Sequence, residues 1–186
     1  MTDYMTSRRT FMGGLAAGTL AGLPRGAIAY DERLGDYNQG AFMYLAIEGI
    51  DPAAVKNAPE NSIPGFAWGW TAPGPGSSDA ATGIEPLSFR KDVDQTTPQL
   101  LRSVAEQRQH DSALLTLQHP TGSGSGRMET VLTITMEPVR IISQSIEGRI
   151  AYNGTHPEVV ELAFERATVE HTPSGYAYTY WPGSDA

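Results

Sequence analysis

Short runs in which apolar and polar residues alternate constrain the fold of this chain more than any other feature. Between residues 128 and 137, Leu132, Ile134 and Met136 alternate with polar residues. Successive side chains of a β-strand point to opposite faces, so these three share one face. Comparable short apolar runs predict about seven or eight strands; they cover residues 42–49, 63–72, 84–93, 112–119, 128–137, 139–146, 158–172 and 176–181.

One segment has helical rather than strand spacing. Thr97 and Pro98 supply an N-cap residue and a proline at the first helical position. An apolar stripe then continues to about His110; it comprises Leu100, Leu101, Val104 and Ala105. Many short strands with one helix predict a mainly β protein: a small antiparallel β-barrel, made of two packed sheets and flanked by one α-helix.

Composition limits the classes of protein that fit. A chain of 186 residues is sufficient for one domain with its own core. It has no cysteine, which excludes disulfides, thiolate metal sites and cysteine nucleophiles. The formal net charge of -8, with no cluster of Lys and Arg in the body of the chain, argues against partners such as nucleic acid or an anionic membrane surface.

The first 29 residues have the layout of a signal peptide. A polar start is followed by an uncharged run over residues 11–23 and by the small residues Ala27 and Ala29, which mark the expected cleavage site. The uncharged run is about 13 residues long, whereas a membrane-spanning helix needs about 20, so we expect no stable membrane insertion. Residues 30–40 are polar and are predicted to be a linker, leaving 41–183 as the folded domain.

The start of this segment resembles the twin-arginine motif. Arg8 and Arg9 are adjacent, and Phe11 follows two positions later. A receptor that reads this motif exports proteins that have already folded. The resemblance therefore implies a periplasmic or secreted protein that folds before it leaves the cytoplasm.

A search for catalytic or metal-binding patterns yields no candidate residue. The histidines are scattered, and none forms a pair at the spacing of metal ligands; they are His110, His119, His156 and His171. His110 follows the predicted helix and is expected to be solvated. Glu161, Glu165 and Glu170 lie near one predicted strand and are explained by a solvated sheet face. We therefore expect no catalytic residue, no cofactor, no metal site and no enzymatic activity.

Three aromatic residues remain open to two interpretations. Phe66, Trp68 and Trp70 recur at period two, so their rings are predicted to share one strand face. They are either packing residues of the barrel or a platform on which a ligand stacks. The glycines between them indicate close packing on the opposite face.

The order of these segments resembles the haemolysin-coregulated protein (Hcp) family, which builds the inner tube of type VI secretion systems. The most specific part is residues 86–109, in which a strand, an Asp-containing turn, a Thr-Pro cap and a Leu-Leu helix follow one another. The other matching segments are 43–50, 66–71, 128–146 and 159–173. The resemblance implies a barrel that self-assembles into hexameric rings, stacks into tubes and passes effector proteins, without catalytic residues.

The signal peptide departs from the family pattern, because tube subunits normally assemble in the cytoplasm. An alternative is a stand-alone periplasmic binding module on the same barrel. It would hold a peptide or small ligand through Phe66, Trp68 and Trp70, or through a strand containing Tyr176, Tyr178 and Tyr180. A hydrolase that uses the scattered His and Glu residues is the weakest hypothesis.

Overall fold

A computed structural model describes residues 42–53, 58–72, 86–121, 127–148 and 156–181. The predicted signal peptide with Arg8, Arg9, Phe11, Ala27 and Ala29, and the linker, lie outside the described residues, so these expectations stay predictions.

Within these residues the fold is mainly β with one helix, as predicted. The strands are β1 (Phe42–Ile47), β2 (Ile63–Gly65), β3 (Ala67–Gly69), β4 (Leu87–Asp92), β5 (Gln109–His110), β6 (Ala113–Pro120), β7 (Met128–Ile146), β8 (Pro157–His171) and β9 (Tyr176–Tyr180), and the helix α1 spans Thr97–Ala105.

All strands pair antiparallel in one continuous sheet of nine strands. Its main order is β2-β1-β6-β7-β8-β4-β3, with β5 beside β7 and β9 beside β8. The strands at the two ends of this order, β2 and β3, are separated in the chain by Phe66 alone. The sheet therefore curls into a barrel that is not strictly closed: the chain crosses from one end of the order to the other at Phe66, and no ladder joins β2 to β3.

This crossing corrects the single strand expected over residues 63–72. β2 pairs with β1, whereas β3 pairs with β4. Between them the Phe66 amide donates a hydrogen bond to the Arg90 carbonyl oxygen at 3.0 Å. A period-two pattern cannot reveal a change of partner in the middle of a run, because the side-chain period is unaffected by it.

β7 is a second correction: here two predicted strands are a single strand. The runs 128–137 and 139–146 were expected to be separate strands divided at Pro138, yet they form one strand. Proline is tolerated here because it lies between Met136, the last residue paired with β6, and Val139, the first paired with β5.

The buried face changes at this point in both long strands. In β7, Ile134 and Met136 are buried, and then Val139 and Ile141 are buried, so the inward residues change from even to odd numbers. In β8 the inward residues change across an exposed pair, Glu165–Arg166. The pairing of β7 with β8 keeps one register across this change. Each strand therefore directs one of its faces to the core before the change and its other face to the same core after it.

The core is a single hydrophobic cluster enclosed by the sheet. Leu100 is its contribution from α1 and is completely buried. The other members come from the strands and the residues next to them, among them Leu45, Ile63, Leu87, Phe89, Leu115, Val160 and Leu162. Burial of such side chains is the main stabilising contribution to a domain of this size.

The helix begins one residue earlier than predicted and ends about five residues earlier, at Ala105 rather than near His110. Its N-cap is Thr96 rather than Thr97. Its C-terminus has the Schellman arrangement: the Gln107 amide bonds to the Val104 carbonyl oxygen, the Arg108 amide bonds to the Ser103 carbonyl oxygen, and Gln107 has a φ of 51°. The predicted extension to His110 is therefore wrong, because the chain reverses at Gln107 and enters β5.

Candidate functional site

A buried ion pair lies where β4, β8 and α1 meet. Lys91 on β4 and Glu158 on β8 are directly opposite in the register. Lys91 Nζ is 2.6 Å from Glu158 Oε1, and both side chains have 0% exposure. Charged groups buried this completely require partners for their remaining donors and acceptors.

Those partners come from the surrounding elements. Thr97 Oγ1, at the start of α1, donates to Glu158 Oε2 at 2.9 Å, and Gln144 Nε2 of β7 donates to the same oxygen at 3.3 Å. Lys91 Nζ also donates to the Asp92 carbonyl oxygen at 2.7 Å. We call Lys91, Asp94, Thr97, Gln144 and Glu158 the anchor cluster. Because its central pair is sealed from solvent, the cluster joins the helix to the sheet and offers no surface to a substrate.

Asp94 is the solvent-facing member of the anchor cluster. Its Oδ1 lies 3.0 Å from Lys91 Nζ and accepts hydrogen bonds from the Thr96 amide at 2.7 Å and the Thr96 hydroxyl at 2.6 Å. Partial burial of Asp94 raises the pKa of its carboxyl, but the hydrogen bonds from Thr96 and the charge of Lys91 outweigh this effect, and the pKa is lowered.

Sequence analysis missed Lys91 and Glu158, although a signal was present. Lys91 follows Leu87 and Phe89 at period two, so it occupies an inward position of β4. Glu158 likewise precedes Val160 on the inward face of β8. A charged residue at an inward position of a strand indicates a buried pair, but only the register of β4 against β8 shows which residues pair.

The histidines lie apart, and one expectation about them is wrong. His110 was expected to be solvated, but it is buried in β5, with Nδ1 2.6 Å from the Glu48 carbonyl oxygen. Since that oxygen can only accept, Nδ1 is the donor. His119 lies on β6 and His171 at the end of β8, where its Nδ1 is 2.8 Å from Ser174 Oγ; His156 precedes β8. In the described part of the chain, no three His, Asp or Glu residues are grouped so that they would hold a metal ion.

The three glutamates singled out from the sequence all lie on β8 but form no site. Glu165 is exposed, while Glu161 and Glu170 are half-buried. On one side Glu161 pairs with Ser88 of β4 and Glu170 with Ala177 of β9; on the other side both face β7, but at its distant positions Ser143 and Thr133.

The structure places the aromatic residues mainly in packing positions. Trp68 and Trp70 are partly buried against the core. The Trp70 ring meets the rings of Phe164 and Tyr180 edge to face, with centroids 5.5 Å apart in both cases. Phe66 is half-buried at the crossing between β2 and β3.

The last strand presents two of its three tyrosines to solvent. Tyr176 is 73% exposed and Tyr178 63%, whereas Tyr180 is half-buried; Trp181, which follows the strand, is 51% exposed. Among the described residues, β9 pairs with β8 and with no other strand. Exposed aromatic residues on an open strand edge mark a contact surface rather than a pocket.

Together these features define a barrel-like β domain in which the Lys91–Glu158 pair is buried among internal partners and in which Tyr176 and Tyr178 are exposed. The family model described as "Type VI secretion system effector, Hcp" matches residues 44–171. The chain therefore belongs to the Hcp family of the type VI secretion system.

Solved structures agree with this assignment at the level of the fold. Hcp1 from Salmonella typhimurium has a TM-score of 0.63 and 21% sequence identity, covering 79% of this chain and 98% of that one. A type VI secretion system effector from Yersinia pestis has a TM-score of 0.60 and 19% identity, covering 75% and 98%. Hcp3 from Pseudomonas aeruginosa has a TM-score of 0.59 and 16% identity, covering 76% and 97%. Comparison with curated proteins returned no match.

In the part of the chain that the structure describes, α1 is too short and too polar to cross a membrane, and no other helix there could do so.

Proposed function

We propose that this protein is an exported structural subunit of the Hcp type, which self-assembles into hexameric rings related to the type VI secretion tube and catalyses no reaction. The observation that carries the proposal is the family match over residues 44–171, which spans most of the described barrel. The completely buried Lys91–Glu158 pair supports a structural role, because the most concentrated polar chemistry in the described residues is closed to substrates.

Assembly is tested with the mature chain, beginning at Tyr30. Size-exclusion chromatography with light scattering is expected to give the mass of six subunits, and negative-stain images are expected to show rings. A mass that stays monomeric as the protein concentration rises would contradict the proposal. Stacking of rings into tubes, and contact with effectors or other secretion-system proteins, would be read from the same images and from co-purification.

The proposed route out of the cytoplasm is twin-arginine export to the periplasm or beyond. Support comes from Arg8, Arg9 and Phe11 before the uncharged run and from Ala27 and Ala29 after it. Replacing both arginines, as Arg8→Lys with Arg9→Lys, should retain the full-length precursor in the cytoplasm. The matched control is Arg25→Lys, which changes an arginine outside the pair and should leave export intact.

Cell fractionation and mass spectrometry of the N-terminus measure the result. A mature protein that begins at Tyr30 in the periplasmic fraction supports export and cleavage after Ala29. Periplasmic delivery of the doubly substituted precursor at the level of the control would refute the twin-arginine route.

A second candidate function is a stand-alone periplasmic binding module on the same barrel. The observation in its favour is the exposure of Tyr176 and Tyr178. Trp68 and Trp70 favour it less, because they pack against the core. A monomeric mature protein that shows saturable binding to a peptide library, lost in Tyr176→Ser with Tyr178→Ser, would favour this function over ring assembly.

A further inference from the structure

Strand β9 combines two properties that monomeric proteins avoid in an edge strand. Tyr176 and Tyr178 are the two most exposed large hydrophobic residues among those that the structure describes. Its backbone pairs on one side, with β8, and no other described strand pairs with it.

The strand also lacks the usual protection against pairing. Natural edge strands carry charges or proline, or contain bulges, which keep other strands away. Residues Tyr176–Tyr180, with the sequence YAYTY, contain no charged residue and no proline, and their pairing with β8 runs in one register from Ala167–Tyr180 to His171–Tyr176. The edge is therefore free of bulges, neutral and aromatic.

We propose that β9 is a self-association edge, on which two copies of this chain pair their β9 strands antiparallel about a two-fold axis at Tyr178. This register is the one that pairs all five residues: Tyr178 faces its own copy, and Tyr176 faces Tyr180. The three tyrosines lie on one face of the strand by period two. The pairing therefore places aromatic side chains beside aromatic side chains, which is favourable between strands.

Charge opposes contact between two copies least at this strand. Each chain has a formal net charge of -8, so two copies repel one another wherever their charged faces meet. β9 is an uncharged strip on which this repulsion is smallest. A contact of five residues on each side is far below the roughly 1,000 Å² of a stable interface, so the pair is weak and exchanges rapidly.

The two-fold geometry separates this contact from the proposed ring. Neighbours in a cyclic ring meet through two different surfaces, so a residue does not face its own copy; across a two-fold axis it does. Cross-linking of one position to itself therefore reports the β9 contact, whether or not rings form.

Single-cysteine variants of the mature chain test the proposal, and the absence of native cysteine makes them unambiguous. Under oxidation with diamide, Tyr178→Cys should form a disulfide-linked dimer, because opposed residues of paired strands lie about 4.5–5.5 Å apart at Cα, within disulfide range. Tyr176→Cys alone should not, since two such residues would be about 14 Å apart along the strands. An equal mixture of Tyr176→Cys and a tagged Tyr180→Cys should give the mixed dimer.

The Tyr178→Lys variant tests the contact without a covalent link. Two lysines would face each other at the axis, and sedimentation at high concentration should show at least about a tenfold weaker association of dimers or of rings with one another. Near-ultraviolet circular dichroism verifies that each variant is folded. Equal cross-linking of Tyr176→Cys and Tyr178→Cys, or no cross-linking of folded Tyr178→Cys, overturns the proposal. The ring mass of the same samples is read separately, so failure of ring assembly and failure of the β9 contact are distinguished.

Discussion

Removing the lysine of the anchor cluster is the most informative perturbation of this fold. In Lys91→Met, Glu158 keeps its hydrogen bonds from Thr97 and Gln144 but loses the cation that lies 2.6 Å away. The carboxylate stays in a site with 0% exposure. Breaking a buried pair in this way costs about 3–5 kcal/mol in the free energy of unfolding, because an uncompensated charge remains in the interior. That is a large part of the stability of a typical domain.

The chain offers a matched control for this substitution. The Arg102–Glu106 pair of α1 has an N–O distance of 2.7 Å, nearly that of the buried pair, but its side chains are 76% and 49% exposed. Solvent screens such a pair, and surface pairs contribute little. Arg102→Met should therefore leave the unfolding midpoint almost unchanged.

A double-mutant cycle separates the pair from the rest of the cluster. In Lys91→Met combined with Glu158→Leu, no buried charge is left alone, so the combined cost should fall well below the sum of the two single costs. Urea unfolding at one fixed protein concentration measures all the variants, because self-association would otherwise change the apparent stability. A cost below about 1 kcal/mol for Lys91→Met, or additive costs in the double variant, would refute the reasoning.

Three further predictions concern single backbone and side-chain features. Gly65→Ala should cost about 1–3 kcal/mol in urea unfolding, because its Cβ would lie 2.3 Å from the Phe89 ring, whereas Gly148→Ala, with nothing within 4 Å, should cost little. Gln107→Gly should raise the melting temperature by removing about 1 kcal/mol of left-handed backbone strain, and an unchanged or lower value would contradict the assigned φ of 51°. The pKa of Asp94 is lowered from 3.8, so its charge stabilises the fold above that pH, and this contribution is lost as the pH falls through the lower folded-state value. Unfolding curves from neutral to strongly acidic pH should therefore show that wild type loses more stability than Asp94→Asn. Parallel curves for the two proteins would contradict this prediction.

Strand positions could be predicted from the sequence because burial on one face leaves a period of two that is visible without a structure. The runs at 42–49, 158–172 and 176–181 correspond closely to β1, β8 and β9. The same signal fails where partners change. It treats β2 and β3 as one strand. It also divides β7 at Pro138, which the strand tolerates because neither β6 nor β5 pairs with that residue.

The C-terminal end of the helix could not be predicted, because the residue that ends it is not of a type that usually ends helices. Helices that end in a left-handed residue usually have glycine there. This helix ends with Gln107 in that position at a φ of 51°, and the apolar stripe gives no indication that the chain turns. His110 was consequently assigned to a solvated helix end, although it is buried beside the Glu48 carbonyl oxygen.

The anchor cluster shows where prediction from local pattern reaches its limit. Lys91 and Glu158 each occupy an inward strand position, which is detectable, but 67 residues separate them along the chain. Only the pairing of β4 with β8 brings them together. The exposed edge at β9 escapes local prediction for a similar reason, since period two identifies the tyrosine face but not which strand borders it.

Residues 86–109, on which the sequence resemblance mainly rests, also carry most of the anchor cluster. Residues 86–109 contain Lys91, Asp94 and Thr97, so one short stretch provides the end of β4, the turn and the start of α1. Buried ion pairs add little net stability compared with apolar residues of the same size, and in some proteins they serve instead to select one arrangement. Holding α1 in one position against β4, β7 and β8 preserves the shape of the faces that these elements form. The cluster therefore joins α1 to the sheet in one arrangement, and the non-additive cost of the double variant measures how strongly Lys91 and Glu158 are coupled in that arrangement.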